Sequence, residues 1–364
     1  MNDVIRVLHI VGSMHSGGME NFIMNLYRNV DRDKVQFDFI THKESDPAYV
    51  EEIVKLGGRI YQLPRLTRNP IKNLRRIEEI VRENSYKVVF RHTPNALVAP
   101  QLRAAGKGGA YAVCHSHNTD DPKRFLHMLG KLFLRSDKIG KFACSKAAGE
   151  WMYGSKEFEI INNAVDIDKF SFSDEKRMKI RKEFGISDSV RVYGHMGNFL
   201  PTKNHELLID IYAKISEMDE NAEFFCLGDG ELKTKMMEKA GSLGIDRKMH
   251  FTGTRRETDE FLSAMDVFIF PSKFEGLPLS VIEAQAAGLP ILLSDKITRD
   301  VEVTEGLLEW EHIESPVEDW AEKAIKMQSG RACQRENMAE NGYDIKALAK
   351  WYEKFIGTVN MEKK

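Results

Sequence analysis

Short apolar runs alternate with amphipathic stretches along most of the chain. Val4–Val11 is an apolar run that ends at a glycine, and Gly12–Gly18 reads as a loop. Glu20–Tyr27 then repeats Phe22, Ile23, Leu26 and Tyr27 at helical spacing. That succession is a strand, a glycine turn and a helix. It recurs with strand-like Gln36–Thr41, Arg59–Leu63, Lys87–Arg91 and Ala110–His115, separated by helical Ala48–Leu56, Ile71–Glu83 and Ala96–Ala105. Near Ile160–Lys169 the alternation pauses in IINNAVDIDK, where a short strand, two asparagines and a mixed acidic stretch read as a linker, and a charged segment, Ser173–Glu183, follows. Strands then restart at Val190–Met196, Glu223–Leu227, Met249–Thr252, Val267–Pro271 and Ile291–Ser294. Helical stretches at His205–Ile215, Leu232–Leu243, Asp259–Ala264 and Leu279–Ala287 separate them. The pattern predicts an α/β protein of two similar halves, each with βαβ units on a parallel sheet. Ligands of such sheets bind beyond the carboxyl ends of the strands, and the cleft between the halves is the expected site.

Composition narrows the class. With 42% hydrophobic and 30% charged residues the chain reads as a globular protein. Apolar runs are as short as 267-VFIF-270, whereas a membrane-spanning helix needs about 20 residues. An acid at position 3 precedes the first apolar run, so the start reads as a strand and not a signal peptide. Cys114, Cys144, Cys226 and Cys333 are scattered, which does not suggest a disulfide framework, and the expected compartment is the cytoplasm. The net charge of −2 hides an asymmetry. Residues 1–150 carry 24 Lys+Arg against 16 Asp+Glu, and residues 151–364 carry 29 against 39. The first half is expected to meet something anionic, such as nucleic acid, a membrane face or a phosphorylated substrate. No nucleic-acid recognition motif accompanies the charge, which disfavours the first of these.

Four segments carry candidate chemistry. In 274-FEGLPLSVIEAQAAGLP-290 a strand ends at Pro271, a loop carries Glu275 and Gly276, and a helix begins near Leu279 with Glu283 in its second turn. Backbone N–H groups and the dipole at such a helix start favour an anion, and the two carboxylates flank it. In 194-GHMGNFLPTKNHE-206, Lys203 lies between a strand and a helix, where its amine would neutralise an anionic ligand; an ordinary surface lysine has the same local signature. The loop 11-VGSMHSGGMEN-21 matches neither the dinucleotide fingerprint nor the P-loop, but Gly17 and Gly18 permit close backbone approach. In 113-VCHSHNTDD-121, His115 and His117 point the same way if the strand continues. Cys-His-Ser-His lacks a second half with metal-ligand spacing, so no metal site is expected there. No Asp-x-Asp motif at a strand end suggests a metal-bound diphosphate either.

A further stretch, Pro122–Lys138, places Phe125, Met128, Leu129, Leu132 and Phe133 on one helical stripe and Arg124, Lys131, Arg135 and Lys138 largely on another. Such a helix either packs its apolar stripe on the domain core or lies on a membrane surface. Residues 51–150 carry 19 basic against 9 acidic side chains, which favours the membrane reading.

Across nearly its whole length the chain resembles the retaining glycosyltransferases of family 4, which have the GT-B fold of two Rossmann-like domains facing across a cleft. The Glu275/Glu283 spacing matches that family's two-glutamate motif. The resemblance implies that Glu275 contacts the hydroxyls of the donor sugar and Glu283 the ribose of the nucleotide. The amides of Gly276, Leu277 and Leu279 would hold the sugar or diphosphate, while Pro278 has no N–H to give. Lys203 would stabilise the leaving diphosphate. The family usually pairs that lysine with an arginine where this chain has Asn198, which hydrogen-bonds phosphate without neutralising it. By the same resemblance Gly17 and Gly18 touch diphosphate and acceptor, His117, with His115 second, lies near the reacting sugar, and backbone groups around Thr254 and Arg255 read the base. It implies an acceptor-binding domain over residues 1–168, a nucleotide-sugar domain over 169–344, and a terminal helix over 345–364 returning to the first domain. The wording HIVGSMHSGGMENFIMN is most similar to bacterial enzymes of capsular or extracellular polysaccharide synthesis. That implies a UDP-sugar donor, a lipid-linked saccharide acceptor at the cytoplasmic membrane face, and no cofactor. A nucleotide-sugar epimerase of the same fold and a non-catalytic UDP-sugar binder are the alternatives.

Overall fold

A computed structural model describes residues 4–15, 17–93, 95–118, 124–134, 138–328, 330–331 and 334–362. The chain forms two compact units, Met1–Ala164 with Asp344–Lys364, and Val165–Tyr343. The first change of unit falls a few residues ahead of the position read from the sequence, within the asparagine-rich stretch.

The first unit holds a seven-stranded sheet of β1 (Ile5–Ile10), β2 (Val35–Thr41), β3 (Ile60–Gln62), β4 (Val88–Thr93), β5 (Tyr111–Ser116), β6 (Ile139–Ala143) and β7 (Glu159–Ile160). Their spatial order is β3-β2-β1-β4-β5-β6-β7, and every pairing is parallel. The central strands are almost wholly buried, as strands covered on both faces must be. The terminal helix Ile345–Glu362 belongs to this unit. Its Tyr352 and Phe355 pack on Phe90, and Phe355 also on Phe142.

The second unit holds a six-stranded sheet of β8 (Val192–Met196), β9 (Glu223–Leu227), β10 (Met249–Gly253), β11 (Val267–Phe270), β12 (Ile291–Ser294) and β13 (Leu308–Glu311). The order is β10-β9-β8-β11-β12-β13, again all parallel. Its core gathers Tyr193, Leu208, Tyr212, Phe224, Ile269 and Trp320 around the sheet. In each unit the chain runs outward from the first strand to one side and then returns to build the other. The sheets therefore have switch points, between β1 and β4 and between β8 and β11, where the loops diverge and leave a crevice.

The alternation pattern located most of these strands. The short strand that opens the linker is β7, but the pattern did not reveal β6, β13 or the helices Lys146–Tyr153, Val317–Lys326 and Arg335–Glu340. The charged stretch after the linker is a helix, Asp174–Glu183, capped by the Ser173 side chain. Cys114, Cys144 and Cys226 are free and buried, and Cys333 lies outside the described residues.

Candidate functional site

Two constellations sit at the two switch points, and each lies within one unit. In the second unit, the loop after β8 carries Lys203 and the loop after β11 carries Glu275. Lys203 Nζ lies 2.7 Å from Glu275 Oε1, with both side chains mostly buried, so the pair spans the divergence of β8 and β11. Two further hydrogen bonds stitch these loops together: Lys273 N–H donates to Thr202 O at 2.8 Å, and Asn204 Nδ2 to Pro271 O at 3.2 Å. Asn204 itself adopts the left-handed conformation (φ 58°, ψ 42°), which asparagine tolerates better than most residues. It turns the chain from Pro201–Lys203 into the helix His205–Met218 and so fixes where Lys203 stands. The Lys203 amine also lies 4.9 Å from the centre of the Phe270 ring.

The glycine loops beside the pair are packed backbone to backbone. Gly197 N–H donates to Leu227 O, Phe199 N–H to Asp229 O, and Gly228 N–H to Gly253 O. Gly228 has φ +134°, and a Cβ there would lie 2.1 Å from Gly197 O. Only glycine fits that contact, which brings the ends of β8, β9 and β10 together. Asn198 thus stands on a loop held from two sides. Exposed Thr254 follows β10, and Arg255 is tied down by Glu257 and by Glu183 at 2.9 Å each. Its side chain is thus a structural tether between the end of β10 and the helix Asp174–Glu183.

The helix Leu279–Ala286 starts at Pro278 with no side-chain cap and no acid in its first turn, so its positive end is uncompensated locally. Leu277 and Leu279 are buried at this start, and Gly276 is part-buried. Glu283 keeps some exposure, but its carboxyl group is desolvated. Burial pushes it up to about 8, against the pull of Lys169 and with a further push from Asp259. Lys169 and Lys176 meanwhile pair with Asp259 at 3.6 and 2.7 Å. A largely protonated Glu283 both donates and accepts hydrogen bonds near neutral pH.

The sequence reading missed two residues next to Lys203. His195, at the end of β8, donates its Nδ1–H to Ile269 O over 2.9 Å and is fully buried. His205 stacks on Phe199 with ring centres 4.0 Å apart. Burial, with the nearby Lys203 charge, holds His195 well below its usual range and His205 at about 4. Both are therefore neutral supports beneath the lysine.

The first unit has a different constellation. His9 on β1, His92 on β4, His115 on β5 and His117 just beyond it lie on one face of the sheet. Strand register places His92 beside His115. His9 Nδ1 is 3.0 Å from His92 Nε2, and His92 Nδ1 is 3.0 Å from His117 Nε2. Burial holds His9 and His117 down to about 3, and His92 and His115 well below their usual range. His92, His115 and His117 each offer a ring nitrogen within 4.8 Å of the others, a grouping that can hold a metal ion. Sequence reading set a metal aside at His115 and His117 for want of a further ligand at suitable spacing; the structure brings that third histidine, His92, from another strand.

Gly17 caps the helix Gly18–Asn29 in an extended conformation. The Glu20 carboxylate folds back there, since a Cβ on Gly17 would lie 2.5 Å from its Oε2. Gly18 has open space instead. Of the basic amphipathic stretch, Arg135 lies outside the described residues; the helix spans Arg124–Leu134. Its packed face is His127, Gly130 and Leu134, with His127 stacked on Trp151 at 4.1 Å. A Cβ on Gly130 would lie 2.6 Å from Ala96 O, so the glycine permits this close approach. Phe125, Leu126, Met128, Leu129, Leu132 and Phe133 are exposed, Phe125 by 76%. The apolar stripe therefore does not pack on the core.

Residues 176–345 match the family described as Glycosyl transferases group 1, and residues 16–169 match Glycosyltransferase Family 4. The protein named glycosyltransferase EpsF in Bacillus subtilis (strain 168) is 32% identical over 93% of each chain. The chain belongs to the family 4 glycosyltransferases. This glycosyltransferase is also 23% identical to an Escherichia coli UDP-Gal:alpha-D-GlcNAc-diphosphoundecaprenol alpha-1,3-galactosyltransferase, over 80% of this chain and 79% of that one. Its fold is GT-B. A Rickettsia africae ESF-5 glycosyltransferase structure superposes with a TM-score of 0.78 at 16% identity, covering 98% and 99% of the two chains. Anabaena HepE in complex with UDP-glucose gives 0.72 at 17%, covering 99% and 98%. Among the described residues of the glycosyltransferase, no helix is long and apolar enough to cross a membrane.

Proposed function

We propose that the protein transfers a hexose from a UDP-sugar, with retention of configuration, to a lipid-linked saccharide in the synthesis of a bacterial surface polysaccharide. The observation that carries this reading is the Lys203–Glu275 pair across the switch point of the second unit. Lys203 supplies the charge that a leaving diphosphate needs, and Glu275 is held by that lysine with its other oxygen available to sugar hydroxyls. The uncapped start of Leu279–Ala286 adds amide dipoles through Gly276, Leu277 and Leu279. Glu283 takes the ribose, and the backbone around Thr254 and Arg255 takes the base. Electrostatic stabilisation of the diphosphate then carries most of the rate, with that leaving group helping to deprotonate the acceptor. Asn198 adds a hydrogen bond but no charge, so Lys203 bears the full charge of that task. No divalent metal is required in this scheme. The name of the galactosyltransferase relative, with its UDP-Gal donor and diphosphoundecaprenol-linked acceptor, supports the class of donor and acceptor.

The exposed face of Arg124–Leu134 fits a peripheral membrane role. Six large apolar side chains on one short helix, in a unit rich in Lys and Arg, suit an anionic lipid surface. The enzyme would meet its lipid-linked acceptor there, on the cytoplasmic face.

Calorimetry with UDP, GDP and ADP, with and without EDTA, tests the donor assignment. Selective UDP binding unaffected by EDTA is expected. A UDP-sugar panel with an undecaprenyl-diphosphate saccharide then reads transfer, and NMR of the product reads the anomer. Conversion of donor without acceptor would replace transfer by epimerisation. UDP binding without any product would leave a binding protein, and restored turnover in Asn198→Arg would trace that to the missing charge.

A further inference from the structure

The histidines of the first unit do more than cluster; their hydrogen bonds have a direction. Tyr352, on the helix Ile345–Glu362, is buried, and among the described residues its hydroxyl has one hydrogen-bond partner, His9 Nε2 at 3.4 Å. A buried hydroxyl whose proton has no acceptor is penalised, so this one donates to His9 Nε2. His9 is neutral, because burial excludes its charged form. Its single proton is then on Nδ1, which donates to His92 Nε2 at 3.0 Å. His92 is neutral for the same reason, and its proton on Nδ1 donates to His117 Nε2 at 3.0 Å. Each imidazole accepts on one nitrogen and donates on the other, as a neutral ring must. Reversing the chain would strand the Tyr352 proton.

We propose that Tyr352, His9 and His92 are positioning residues that fix His117 as the Nδ1–H tautomer, so that His117 meets its substrate as a hydrogen-bond donor and not as a base. The donated bond goes to a hydroxyl or ring oxygen of a saccharide, the chemistry that a neutral N–H recognises. The role of His117 toward saccharide rests on the proposed transfer reaction; the direction of the chain does not. His115 is outside the chain, since its Nε2 is buried without a hydrogen-bond partner among the described residues. Its ring lies against His117, with centres 4.1 Å apart, and it packs the last ring in place.

The test is NMR of the full-length protein labelled with ¹⁵N at histidine, using long-range proton–nitrogen correlations that read the tautomer of each ring. His9, His92 and His117 should all carry their proton on Nδ1. Tyr352→Phe keeps the shape and removes the donor, so the Nε2–H fraction of His117 should rise severalfold. A wild-type His117 protonated on Nε2, or one that Tyr352→Phe leaves unmoved, would overturn the proposal. So would stoichiometric binding of zinc chloride that shifts His92, His115 and His117 together, because His92 Nδ1 cannot both ligate and donate. Turnover supplies a second readout. Asparagine places an N–H near the Nδ1 position and glutamine near Nε2, so His117→Asn should keep at least tenfold more kcat than His117→Gln; equal loss in both would argue for a base. If no UDP-sugar supports transfer, the functional reading fails while the tautomer spectra still decide the chain.

Discussion

The two units share a sheet topology and a switch point, yet they equip it in opposite ways. The second places a full ion pair there, Lys203 with Glu275, partly open to water. The first places four neutral imidazoles there, three of them linked by hydrogen bonds and nearly all excluded from water. A charged pair suits a ligand that brings charge of its own, such as a diphosphate. A neutral polar chain suits hydroxyls, which need direction more than charge. The same crevice geometry therefore takes different ligand chemistry according to what its strand ends carry.

Acid should separate the units most strongly. Burial depresses His9, His42, His92, His115 and His117 in the first unit, but only His195 and His205 in the second. Below the unfolded value of 6.5 the unfolded chain takes up protons that the fold refuses, so stability falls as pH drops toward the folded values. Each such histidine costs up to about 1.4 kcal/mol per pH unit over that range. Hydrogen exchange between pH 7 and 5 should show β1, β4 and β5 opening before β8 and β11. The reverse order would break the comparison.

The next effect is on turnover. Lys203→Ala should lower kcat by about 10²- to 10³-fold, the range seen when one charge-stabilising group is removed. Glu275→Ala should lower turnover strongly while UDP affinity stays nearly intact, as calorimetry would show. If UDP affinity collapsed instead, Glu275 would belong to the nucleotide and not to the sugar.

A smaller effect concerns Glu283, the one carboxylate that the second unit holds against its charge. Its folded value near 8 lies above the unfolded one, so the fold is favoured while both forms are protonated and loses stability as pH rises from about 4.5 to 8. Glu283→Gln should thus melt at a higher temperature than the wild type at pH 9 and nearly with it at pH 4. Equal melting at both would mean that the carboxyl is better solvated. Glu283→Ala should weaken UDP binding.

The smallest effect sharpens the contrast between glycines. Gly18 begins a helix with open space around its Cβ position, so Gly18→Ala should stabilise by about 0.4–1 kcal/mol in a melting experiment. A loss of activity in a stabilised Gly18→Ala would reveal a ligand that needs the missing side chain.

Much of the second unit's site was legible because its residues are close in sequence to the strand ends that present them. Glu275, Gly276 and Glu283 fall in one strand–loop–helix segment, and Lys203 in another. The acid that folds back beside Gly17 was not foreseen, because Glu20 reads as an ordinary first-turn residue. The first unit's chain of imidazoles was beyond reach for a stronger reason. His9 and His92 lie within the strand segments VLHIV and VFRHT, 83 residues apart, and only the β1–β4 neighbourhood joins them. The amphipathic helix was recognised from its stripe, but the side it presents depends on Gly130 meeting Ala96, a contact with no periodicity to announce it.

The return of the last helix to the first unit also has a consequence in time. A ribosome releases residues in order, so β1, β4 and β5 exist long before Ile345–Glu362 does. Until the middle of that helix emerges, the histidine face lacks Tyr352 and Phe355 and stands open to water. The first unit to be translated is thus the last to be finished, and a chain cut short after Tyr343 leaves the second unit whole and the first without its cover.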